Sequence, residues 1–136
     1  CSNISILEAG DYIIGHTIGS DITAMNIHKR DWHLARSKAL DGFAPIGPNL
    51  ILGMNTKNLH LNSHINEKLA QSGNTEDRIL NDEEVVSLIS NMMTLLPGDV
   101  IFTGTPARAT EALVMPGDHV KHEIENIGTL AFEIVK

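Results

Sequence analysis

Cysteine is nearly absent. Cys1 is the single example, so no intramolecular disulfide can form and a reducing compartment is the simpler expectation. No apolar run approaches the roughly 20 residues that cross a bilayer as a helix, and no basic stretch followed by an apolar one opens the chain. A cytoplasmic protein without a membrane partner is therefore expected. Basic residues are few as well: 10 Lys and Arg stand against 17 Asp and Glu, for a net charge of −7 with histidine neutral. Lys29–Arg30 is the one adjacent basic pair, far short of the positive surface that phosphate backbones require, which excludes nucleic acid as a partner. A starting methionine is also missing, which raises the expectation of a fragment or a processed product.

What is present suits one globular domain over residues 1–136, with 42% apolar and 20% charged residues. Ser5 and Glu8 have the spacing of a capping box and predict a short helix from Ile6 to about Gly10. β-Branched content predicts a strand over residues 12–18. Met25, His28 and Trp32 fall at helical spacing and predict a helix or turn over residues 23–34. A loop over residues 41–48 and a brief strand over residues 50–52 follow. Alternation over residues 58–65 predicts a half-buried strand, turned at Asn66–Glu67 into a second strand over residues 68–71. The longest helix is expected over residues 82–96, with acidic residues in its first turn and Pro97–Gly98 as its stop. Two Pro-Gly-Asp turns, at 97–99 and 116–118, are each expected to lead into a strand. The last two strands are placed at 119–125 and 129–135. An α+β fold follows, mostly antiparallel or mixed sheet with one long helix.

Read from spacing alone, the polar residues give ordinary answers. The seven histidines form no zinc framework. His60 and His64 share a strand face, His119 and His122 lie on opposite faces, and all are expected to face solvent. Glu123 and Glu125 share a face that could suit a hard cation, but they sit at a hairpin end, where carboxylates are usually solvated. Asp21 reads as a turn residue, Lys38 as surface, and Thr105 as part of a tight turn set by Gly104 and Pro106.

Taken in order, however, SDITAMN (Ser20–Asn26), PIGPNL (Pro45–Leu50), SGNTEDRIL (Ser72–Leu80) and GDVIFTGTP (Gly98–Pro106) resemble the catalytic domain of the fumarylacetoacetate hydrolase family. Ile65–Asn66, Gln71 and Asn74–Thr75 match a further hairpin. The similarity runs from about Ile6 to Ile134 and is nearest the 2-hydroxyhepta-2,4-diene-1,7-dioate isomerase and acylpyruvase-like members. It implies a β-sandwich roll and a homodimer. It also implies a metal-dependent hydrolase, decarboxylase or isomerase acting on a small 2-oxo or 1,3-dicarbonyl acid through a chelated enolate. Asp21 would be a ligand to Mg²⁺, Mn²⁺ or Ca²⁺, and Lys38 a catalytic charge beside it. Thr105 and Gly104 would contact substrate.

The chain also departs from the family pattern. The upstream Glu-x-Glu strand and the lid with its catalytic histidine and glutamate have no counterpart in these residues. The metal is therefore expected only if the missing carboxylates are supplied. Met25 and Asn26 stand where relatives carry Arg and Asp, so Met25 would meet the substrate in place of an arginine fork. His28 replaces a glutamine and is a candidate for proton transfer. Arg108 and Ala109 replace a small Gly-Val pair. Without a visible nucleophile or base pair, decarboxylation or isomerisation is the more economical expectation. The alternative is a degenerate or truncated copy that keeps the fold and dimer surface without activity, with an unpaired sheet edge prone to association.

Overall fold

The computed structural model describes residues 1–25 and 34–136, and two antiparallel sheets organise them. The smaller sheet pairs β1 (Gly15–Gly19) with β2 (Ile46–Leu52). The larger one has the order β4-β3-β5-β6, where β3 is His60–Ile65, β4 Lys68–Asn74, β5 His119–Ile124 and β6 Gly128–Glu133. The α+β expectation is met, and nearly every strand is found.

Local chemistry explains the hairpins. Asn66 and Glu67 both take positive φ, at 49° and 64°, the backbone of a two-residue turn whose twist matches its strands. The Pro-Gly-Asp turns repeat one device. Asp99 and Asp118 each accept the N–H three residues back, from Leu96 at 2.8 Å and from Met115 at 2.7 Å. Only the second leads into a strand, β5; the segment after Asp99 crosses the molecule without ladder pairing.

Other sequence expectations change too. The first strand starts at Gly15, because Gly10–Tyr12 continues the capped helix α1 (Ile6–Ala9) as a 3₁₀ turn. β2 begins at Ile46, inside the expected loop. The long helix is shorter than its apolar pattern: α3 spans Asp82–Ser90. Tertiary pairing ends it. Leu95 N–H donates to Cys1 O at 2.8 Å, and the Cys1 ammonium returns a bond to Leu95 O at 2.6 Å. Asn3 N–H and Ile4 N–H reach Ser90 O and Oγ. The N-terminal segment thus takes the groups a longer helix would have used, and Met92, Met93 and Leu96 stay exposed. The helix expected over 23–34 lies mostly outside the described residues. Within them, residues 23–25 are not helical, and α2 (Ala35–Lys38) begins only after Leu34.

The core lies between the sheets. Ile18 of β1, 1% exposed, packs with Ile127 and Leu130, and Ile51, Ile124 and Phe132 surround them. A second, polar cluster ties β1 to α3. The Asp82 carboxylate takes Arg78 Nη1 at 2.5 Å and the Thr56 hydroxyl, with His16 Nε2 at 3.3 Å. Burial alone would raise the Asp82 pKa; the hydrogen bonds and charges of these neighbours outweigh it and hold it below the ordinary carboxylate value.

The core is thin for the chain's size. A compact monomer of 14.8 kDa exposes about 7,000 Å², whereas this chain exposes 9,438 Å². Ile46, Leu50 and Leu52 alternate along β2 and are all exposed.

Candidate functional site

The run at residues 98–106 bridges the two sheets, and two glycines let it do so. A Cβ on Gly19, at the end of β1, would come 2.5 Å from Phe102 Cε1; one on Gly73 of β4 would come 2.7 Å from Pro106 Cβ. Neither position has room for a side chain. Thr105 therefore sits by β4, while Phe102 rests where β1 runs into Ser20 and Asp21.

Asp21 lies on an exposed turn pinned by backbone bonds: Ser20 N–H to Pro45 O, Ile22 N–H to Phe43 O, and Ala24 N–H to Ser37 O. α2 presents Lys38, whose ammonium pairs with Asp21 Oδ2 and donates to Thr23 Oγ1 at 3.1 Å. The carboxylate and the lysine that the sequence singled out thus meet directly, 17 residues apart in the chain. Met25 is 53% exposed at the following turn. His28, the proton-transfer candidate, and Asn26 lie outside the described residues.

Thr105 and Gly104 are exposed, and Thr105 is positioned by Gln71. The Gln71 amide, 7% exposed, directs Nε2 to Thr105 Oγ1 at 3.2 Å, Pro106 O at 3.0 Å and Ala107 O at 3.1 Å. One buried side chain fixes the whole turn. Among the described residues, no hydrogen bond or ion pair joins Thr105 to Asp21 or Lys38.

Not every histidine faces solvent. His122 is directed inward: Nδ1 lies 2.8 Å from Ser63 Oγ and Nε2 2.9 Å from Ser20 Oγ, with the ring tilted against Phe132. Burial lowers its pKa below the usual histidine value, so the neutral ring can donate from one nitrogen and accept at the other. The signal was in the sequence, since His122 shares its strand face with Val120 and Ile124, both apolar. His16, on β1, is likewise partly buried beside Asp82.

Glu123 lies 3.5 Å from His64 Nδ1 and 3.4 Å from Lys121 Nζ, and Glu125 accepts the His60 N–H. A shallow concavity of about 600 Å³ opens there, walled by His60, Asn62, Glu123 and Glu125, and none of Asp21, Lys38 or Thr105 lines it. Among the described residues, no three of His, Cys, Asp or Glu converge as a metal site would need. Asp21 offers one carboxylate, already paired with an ammonium, whereas a hard divalent ion takes about six oxygens. These residues alone do not fit such an ion. No helix among them is long and apolar enough to cross a membrane.

The fold and site define an α+β domain that sets a lysine–aspartate pair beside one sheet and a glutamine-anchored threonine turn beside the other. Residues 1–135 match the family described as fumarylacetoacetate hydrolase, C-terminal, and the chain belongs to that family. It is 41% identical over 130 residues to an uncharacterised protein of Methanocaldococcus jannaschii, covering 96% of this chain and 54% of that one. The structure of 2-hydroxyhepta-2,4-diene-1,7-dioate isomerase from Mycobacterium marinum superposes with a TM-score of 0.94 at 38% identity, over 99% of this chain and 53% of that one. Fumarylacetoacetate hydrolase from Exiguobacterium antarcticum gives 0.93 at 30%, over 99% and 51%. The chain thus spans about half the length of these relatives.

Proposed function

We propose that the chain serves an enzyme that acts on a small 2-oxo or 1,3-dicarbonyl acid, isomerising or decarboxylating it through an enolate. The meeting of Lys38 with Asp21 carries this reading, since residues chosen by resemblance come together in space. Membership in a family with an isomerase and a hydrolase among its solved structures supports it. Lys38 would hold an acid or enolate oxygen by charge, and Thr105, held still by Gln71, would donate a hydrogen bond to developing negative charge. Met25 and Gly104 would shape the wall near the substrate. A divalent ion on Asp21 would need carboxylates beyond those the described residues bring to it, and no step is assigned to one.

A homodimer is part of this reading. The exposed Ile46, Leu50 and Leu52 face of β2 supports it, because such a stripe is more often covered than solvated.

A second reading has its own observation. Asp21 is neutralised by Lys38, and no further carboxylate joins it among the described residues, as in a copy that keeps the fold without activity. Turnover of acylpyruvates, oxaloacetate and hydroxydienedioates, followed by ultraviolet absorbance, separates the two. On the enzyme reading, Lys38→Met and Thr105→Val each lower kcat about a hundredfold. Absence of turnover across the panel, or turnover indifferent to both substitutions, supports the degenerate copy.

A further inference from the structure

The two halves of the candidate site lie beside different sheets, so something must set their spacing. Ser63 on β3 is the register partner of Gln71 on β4 and of His122 on β5. Gln71, Ser63 and His122 therefore form a row across one face of the larger sheet. At one end of the row the Gln71 amide holds Thr105. At the other, His122 reaches Ser20 Oγ, the residue before Asp21.

The remaining backbone bonds of the Asp21 turn run to residues 37–45, on the small-sheet side. Among hydrogen bonds between described residues, His122–Ser20 is the one that carries from this turn to the larger sheet. The central position of the row is closed to water: Ser63 is 8% exposed. A buried polar row crossing an apolar face is costly unless each member is satisfied. Val120 and Ile124 show what the same strand face otherwise holds.

We propose that His122 is a positioning residue of the substrate site, which fixes the Asp21–Lys38 half against the Thr105 half through the hydroxyl of Ser20. It touches neither the acid nor the ammonium; it acts through Ser20. One ring nitrogen donates and the other accepts, so the Ser20 hydroxyl is held in a single orientation at the edge of the site. The inference rests on the oxo-acid reading above and adds a residue that the resemblance does not supply.

The test is a double-mutant cycle on the whole chain, with pyruvate and oxalate as probes and binding followed by NMR. Ser20→Ala and His122→Val are each expected to weaken binding about tenfold, and the double variant no more than either alone, because the two act as one unit. His122→Gln, which can still bridge two hydroxyls, should recover most of the loss. Long-range ¹⁵N spectra of the parent should show one imidazole tautomer, with Nε2 shifting in Ser20→Ala. Lys38→Met, run in parallel, reports on the underlying reading. Additive losses, or unchanged binding in His122→Val while Lys38→Met abolishes it, overturn the role of His122 and leave the site standing. A parent chain that binds neither probe removes both.

Discussion

Gln71 Nε2 lies 3.2 Å from Thr105 Oγ1 and within hydrogen-bond reach of two carbonyls of the same turn. The amide NH2 shares two protons among these three acceptors; a carboxylate has none to offer while ionised. Gln71→Glu should therefore destabilise the domain more than Gln71→Ala at pH 7, and the gap should close on acidification as the acid protonates. Gln71→Ala itself is expected to cost about 1–3 kcal/mol in urea unfolding, since it strips partners from a buried turn.

Gly73 makes a separate prediction for the same turn. Its missing Cβ is the space that Pro106 occupies, 2.7 Å from where the atom would stand. Gly73→Ala must push residues 105–107 outward, which should raise amide exchange of Ala107 and lower stability by about 1–3 kcal/mol. Gly10, with nothing near its Cβ position, is the control: Gly10→Ala should be neutral within about 0.5 kcal/mol.

Asp82 and His122 should contribute acid sensitivity in separable windows. Asp82 is held below the ordinary carboxylate value despite its burial. Its stabilisation is present above that value and lost as pH falls through the depressed pKa. His122 is lowered by burial, so the unfolded chain takes up its proton first and stability falls as pH drops below the usual histidine range. Thermal melts from pH 8 to 3 should show both losses. His122→Val should remove the upper one and Asp82→Asn reduce the lower, to which Glu8 and Asp118, also held below the ordinary carboxylate value, contribute.

Divalent ions give a direct measurement. With one carboxylate, paired to Lys38, at this site among the described residues, no saturable Mg²⁺ or Mn²⁺ binding tighter than about 1 mM is expected by titration calorimetry. Tight binding that Asp21→Asn abolishes would overturn this.

The exposed β2 stripe predicts association. Leu50→Lys together with Leu52→Glu should shift sedimentation toward monomer and leave the far-ultraviolet spectrum unchanged, because both side chains point away from the core. A monomeric parent would sink the dimer reading.

Much of this domain was legible before any coordinates. Alternation placed β3 within two residues, and turn chemistry at Asn66–Glu67 and the Pro-Gly-Asp sites placed the reversals, with β5 and β6 found within two residues of their expected bounds, because these depend on local backbone preference. Motif order gave the family and the pair Asp21 and Lys38. Three outcomes were decided only in three dimensions. The helix at Asp82 stops at Ser90 because residues 1–4 compete for its end, which no local pattern reports. His122 turns inward because the β3–β5 register sets it beside Ser63, and the sheet packing brings Ser20 to its other nitrogen. Gln71 became the anchor of Thr105 because Gly19 and Gly73 let a strandless segment cross from one sheet to the other. Sequence periodicity fixes which face a residue takes; which partner it meets there depends on register and on the packing of one sheet against another.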